Sequence, residues 1–70
     1  MTINDLLDVC ANIDLKTGFS IYRSLEDFEN ATPYFETYFN KRSLPAYVRN
    51  KKISRFELSR NSNPVFIALE

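Results

Sequence analysis

Apolar positions along the chain change period several times, and each change predicts a new element. Near the amino end Ile3, Leu6, Leu7 and Cys10 recur at three- and four-residue spacing, which places them on one face of a short helix over residues 3–11. Thr2, three residues before Asp5, resembles a capping box, and Asp5 and Asp8 sit where the macrodipole favours carboxylates. Two turns are marginal in isolation, so this helix must dock its apolar face. No period is readable from Asn12 to Thr17. Gly18, the only glycine, marks a bend or bulge before a strand over residues 18–23 with Phe19 and Ile21 on one face.

Ser24 to Pro33 reads as an acidic connection with a helical turn, its lone Phe28 tucked against the body. Residues 34–39 then alternate Tyr34, Glu36, Tyr38 against Phe35, Thr37, Phe39, the pattern of a half-buried strand that completes a first hairpin. Ser43 is the expected N-cap of a short helix over residues 44–49, with Pro45 in its first turn, Asn50 at its end, and Leu44, Tyr47 and Val48 facing the core. Two runs rich in β-branched and aromatic residues close the chain as a second hairpin around a cluster of turn formers. In its last strand Val65, Ile67 and Leu69 share one face and Phe66 and Ala68 the other, so both faces are apolar and both need cover, or one awaits a partner. Phe56 and Leu58 have one parity and Ile53 the other, so Ile53 lies in the strand entry or a bulge resets the phase. Pro64, without an amide hydrogen, belongs at a strand start.

The order α-β-β-α-β-β predicts one small α+β domain over residues 1–70. Its expected architecture is an antiparallel sheet of two hairpins, with the N-terminal helix and a short middle helix packed on it. The expected core is Ile3, Leu6, Leu7, Cys10, Phe19, Ile21, Phe35, Phe39, Leu44, Val48, Phe56, Leu58, Val65, Ile67 and Leu69. Seventy residues lie near the lower limit for a core without disulfide or metal, but 44% hydrophobic content argues against disorder.

Composition narrows the chemistry. A single cysteine forms no internal disulfide, and without histidine the chain lacks the usual metal-ligand sets and the Ser-His and Cys-His pairs that activate nucleophiles. No cofactor is expected, Cys10 reads as a small core hydrophobe, and an enzyme is the weakest reading. No apolar run reaches the roughly 18 residues of a membrane span, and Asp5 and Asp8 interrupt the only apolar stretch of the amino end, so the expected compartment is the cytoplasm.

Net charge is zero, yet residues 1–40 carry two cations against seven carboxylates, a net of −5, and residues 41–70 carry seven against two, a net of +5. That asymmetry raises the prospect of an anionic partner. The partner-binding candidates are the basic residues Lys41, Arg42, Arg49, Lys51, Lys52 and Arg55, with Tyr34, Tyr38 and Tyr47 as aromatic anchors. The alternative docking surface is acidic: Glu26, Asp27 and Glu29.

Several stretches together resemble the very short proteins encoded by bacteriophages and other mobile elements of Gram-positive bacteria. They are Thr2-Ile-Asn-Asp-Leu-Leu, Glu26-Asp-Phe-Glu-Asn, Pro33-Tyr-Phe-Glu, Ser43-Leu-Pro-Ala-Tyr-Val-Arg-Asn with the following Lys-Lys-Ile, and the closing apolar strand. The resemblance covers nearly the whole chain and carries no catalytic motif. It implies a phage or prophage origin and life in the cytoplasm of a host cell. Three functions compete. The first is an accessory protein that binds a host protein, for example an inhibitor of a host defence or replication factor of the anti-CRISPR type. The second is a nucleic-acid-binding module using the basic half, held back by a pI near 6.2. The third is a structural protein that self-associates through an exposed strand edge.

Overall fold

The computed structural model describes residues 1–10, 13, 16–59 and 63–70. Helix α1, Ile3–Val9, starts at a complete capping box: the Asp5 amide donates to the Thr2 hydroxyl at 3.2 Å and the Thr2 amide to the Asp5 carboxylate at 2.9 Å. Strand β1, Phe19–Tyr22, leads through Ser24, whose hydroxyl caps the next turn, into α2, Leu25–Glu29. Thus the acidic connection contains a helix of its own, making the order richer than α-β-β-α-β-β. Strand β2, Glu36–Tyr38, is followed by a 3₁₀ turn, Lys41–Ser43, capped by Asn40. Helix α3, Ala46–Arg49, then leads to β3, Ile53–Leu58, and β4, Val65–Leu69. Ser43 does not cap α3; it ends the 3₁₀ turn, and Pro45 takes the N-cap position without a side-chain bond.

The strand order is β2-β1-β4-β3. β1 and β2 pair antiparallel, as do β3 and β4, but the two pairs join through β1 and β4, which run parallel with Phe19 opposite Val65 and Ile21 opposite Ile67. The sheet is therefore mixed and not the expected antiparallel one. β4, apolar on both faces, takes a central place in this order with a strand on each side, and its two faces are both covered. At the join the Gly18 carbonyl accepts from the Val65 amide at 2.9 Å, while on the β2 side a Cβ at Gly18 would stand 3.2 Å from the Tyr38 carbonyl oxygen. The Asn63–Pro64 peptide is cis, and the Asn63 side chain accepts from the Gly18 amide at 2.8 Å. The expected reversal at Asn61, and residue 11 of the predicted helix, lie outside the described residues.

Helices α1 and α3 cover one face of the sheet. Ile3, Leu6, Ile13, Leu44 and Val48 pack there on Phe19, Ile21, Ile53, Val65, Ile67 and Leu69, with Leu7, Cys10, Tyr38 and Phe56 half-buried at its border. The register of β3 shifts between Ile53 and Arg55, the bulge that lets Ile53 share the inward face with Phe56. On the other face α2 lays Phe28 edge-on against Tyr22 at 5.1 Å, Tyr22 meets Tyr34 at 5.1 Å, and Tyr34 stacks on Phe66 at 6.2 Å. Cover from both sides explains why all four residues of β1 are buried.

Three expected core residues are displaced outward. Phe39 is 86% exposed, because β2 ends at Tyr38 and the chain turns away before Phe39 can continue its alternation. Phe35 precedes β2 at the sheet's margin, and Leu58 ends β3, the edge strand, where no further strand covers it; both are exposed. Tyr47, expected to face the core, is exposed on α3, whose single turn presents only Val48 inward. Ile13, Tyr22, Ile53 and Ala68 are buried in addition.

Candidate functional site

Because β1 and β4 are parallel and in the centre, their carboxyl ends emerge side by side, flanked by the amino ends of the antiparallel β2 and β3. Open sheets commonly bind ligands outside the carboxyl ends of parallel strands, where the connections diverge. Here that end holds an open cleft of about 440 Å³ lined by Arg23, Phe35, Lys51, Lys52, Leu69 and Glu70.

Each lining residue is placed by main-chain bonds. Arg23 follows β1 directly, and the Phe35 amide donates to the Ile21 carbonyl at 2.8 Å, so β2 enters beside it. The Arg23 guanidinium consequently lies over the Phe35 ring, 5.4 Å from its centre. Lys51 is held from both sides: its amide donates to the Val48 carbonyl and its carbonyl accepts from Ile3. Lys52 bridges Thr2 on one edge and accepts from the Glu70 amide on the other. The backbones are pinned while the side chains of Arg23, Lys51, Lys52 and Glu70 are exposed. Among the described residues the one ion pair is Arg55 with Glu57, so the three cations of the cleft have no carboxylate within salt-bridge distance. Three cations and the apolar side chains of Phe35 and Leu69 thus line the cleft together with one carboxylate, Glu70, a set that can accept an anionic group attached to an apolar or aromatic body.

Only two of the basic candidates, Lys51 and Lys52, reach this cleft. Lys41 and Arg42 follow the opposite end of β2. Arg49 is structural: its Nε donates to the Leu44 carbonyl at 3.1 Å and its Nη2 to the Lys41 carbonyl, tying the 3₁₀ turn to α3. Arg55 lies on the α2 face of the sheet, bonded to Glu57 at 2.9 Å and with its guanidinium 5.3 Å from the centre of the Phe28 ring. Of the tyrosines, Tyr34 belongs to the aromatic stack on that face, Tyr38 borders the core and Tyr47 is exposed on α3. Burial pushes the Tyr22 phenol above its ordinary value of 10.0, and a hydrogen bond with Tyr34 adds to the rise. Glu26, Asp27 and Glu29 share the single turn and a half of α2; Glu26 and Asp27 lie in its first turn. Among the described residues no three acidic or thiol side chains are grouped as a metal site.

Sequence reasoning missed Arg23, Phe35, Leu69 and Glu70 as neighbours of the two lysines. Arg23 lies in the acidic half of the chain, and only the parallel register, with Tyr22 opposite Ala68, brings it beside the end of β4. Among the described residues no helix is long and apolar enough to cross a membrane. Compared with protein-family models, curated proteins and solved structures, the chain finds no match in any of the three.

Proposed function

We propose that this is a non-enzymatic accessory protein that binds an acidic surface of a protein partner through the cleft at the carboxyl ends of β1 and β4. The observation that carries the reading is the convergence of Arg23, Lys51 and Lys52 around Phe35 and Leu69, with no carboxylate in salt-bridge distance among the described residues. Arginine and aromatic side chains at the centre of a contact supply much of the energy of protein association. A phosphate backbone would instead call for cations strung along a groove. The remaining basic candidates do not form one, since Arg49 is bonded to carbonyls, Arg55 to Glu57, and Lys41 and Arg42 follow the far end of β2. The resemblance to short phage and mobile-element proteins supports a host protein as the partner and the host cytoplasm as the place of action.

The test is capture from a lysate of a Gram-positive host, with two variants beside the unaltered protein. The expected result is a stoichiometric protein retained by the unaltered chain and by Glu26→Gln/Asp27→Asn/Glu29→Gln, and lost with Arg23→Glu/Lys51→Glu/Lys52→Glu. Loss with the α2 variant alone would move the docking surface to the acidic face. Retardation of oligonucleotides at low salt, falling steeply as salt rises and abolished by the triple reversal, would replace the protein partner with nucleic acid.

A further inference from the structure

The outer edge of β3 is set up to pair with itself. Ser59 donates to the Pro64 carbonyl and Glu70 to the Lys52 carbonyl, so the even-numbered residues of β4 face β3, while Val65 donates to Gly18 and the odd-numbered residues face β1. On β3 the residues that exchange bonds with β4 are then Glu57, opposite Phe66, and Arg55, opposite Ala68. The main-chain groups of Phe56 and Leu58 point the other way, out of the sheet. At the start of β3 this edge is already occupied, because the Ile53 amide donates to the Met1 carbonyl at 2.9 Å and Thr2 bridges Lys52. From Ser54 to Leu58, nothing among the described residues covers it.

We propose that this free edge is a homodimer interface, in which β3 strands of two copies pair antiparallel about a two-fold axis at Phe56. In that register each Phe56 exchanges both main-chain bonds with its counterpart. Arg55 then stands opposite Glu57 of the second copy, Glu57 opposite Arg55, and Leu58 opposite Ser54. The charged positions become the non-hydrogen-bonded pairs, in which directly opposed side chains approach most closely. Other registers lose this match: an axis at Glu57 opposes two glutamates, and an axis at Leu58 runs past the end of the strand. The length agrees as well, since the second copy's strand ends at Leu58 opposite Ser54, where Met1 begins to occupy the edge.

Such a contact is isologous and closed, so it gives a dimer and no fibre. It joins two four-stranded sheets into one of eight strands and leaves the two cationic clefts open at opposite ends. Arg55 and Glu57 are both about half exposed, at 48% and 51%, and bond within the strand, so in the dimer Arg55, whose guanidinium also lies 5.3 Å from the centre of the Phe28 ring, exchanges one carboxylate for another.

The test uses sedimentation equilibrium over a wide concentration range, with circular dichroism to confirm folding. The unaltered chain should self-associate. Arg55→Glu alone sets glutamates against glutamates, and Glu57→Arg alone sets arginines against arginines. Each should weaken association by about tenfold or more. An equimolar mixture of the two single variants should recover a dimer, because arginines then face glutamates at both positions. Changes in stability within one chain cannot produce that recovery. If a single variant fails to fold, the double exchange Arg55→Glu/Glu57→Arg keeps both the internal pair and the complementarity and should dimerise like the original. A chain monomeric at every concentration, single variants that associate undiminished, or a mixture or double exchange that stays monomeric would overturn the proposal.

Discussion

Ile67 is the position at which the fold is most open to attack. It is fully buried at the centre of β4, opposite Ile21 on the parallel side and Phe56 on the antiparallel side, so neither neighbour can leave to fill a void. Ile67→Ala removes three methyl or methylene groups, roughly 2.4 kcal/mol at about 0.8 kcal/mol each. A residual void of roughly 50 Å³, at about 24 cal/mol per Å³, would bring the loss near 3.6 kcal/mol. The whole margin of so small a domain is about 3–5 kcal/mol, so this variant should lie at the threshold of unfolding at room temperature. Ile67→Val, one group smaller, should lose about 0.5–1.5 kcal/mol and remain measurable. Phe39→Ala is the control: its side chain is 86% exposed, and the change should stay within about 0.5 kcal/mol. Urea unfolding of the three variants, read as midpoint and slope, checks the set. Equal shifts for Ile67→Val and Phe39→Ala, or an unchanged midpoint for Ile67→Ala, would refute the assignment of the core.

Two further outcomes follow from the caps. Ala31 has φ of 53° after α2, where the Thr32 amide reaches the Asp27 carbonyl and the Ala31 amide the Phe28 carbonyl, a Schellman ending that normally carries glycine. Ala31→Gly should therefore raise stability by about 0.5–1 kcal/mol, the relief of left-handed strain less the added chain entropy, and a lowered urea midpoint would contradict it. At α1, the Thr2 amide, followed by its hydroxyl, holds the Asp5 carboxyl below its ordinary value of 3.8. Since the folded value is the lower one, the stabilisation is fully present above the unfolded value and is lost as pH falls through the folded one. The melting gap between the unaltered protein and Asp5→Asn should be constant near neutrality and close in acid; a gap unchanged in strong acid would show that the carboxylate is not its source.

Short-range features are legible in the order of residues alone. The three- and four-residue spacing of Ile3, Leu6 and Leu7 marks α1, Thr2 with Asp5 marks its start, and the alternation of Val65 to Leu69 marks a strand with two apolar faces. The parity conflict of Ile53 with Phe56 leaves a strand entry or a bulge open, and the register shift between Ile53 and Arg55 decides for the bulge. Each of these depends on residues within a few positions of one another, where backbone geometry alone relates side chains to faces. Exposure at element ends is harder to read, as Phe35, Phe39 and Leu58 show, because alternation says which side a residue takes and not where the sheet stops.

The pairing of β1 with β4 could not be read from the chain. Strand pairing is a long-range choice, decided by which apolar faces need cover among segments far apart in sequence. The cleft depends on that choice, since Arg23 comes from the acidic half and Lys51 and Lys52 from the basic half. Charge along the sequence announced an uneven exterior; only the parallel register brought three cations and Phe35 together at one end of the sheet.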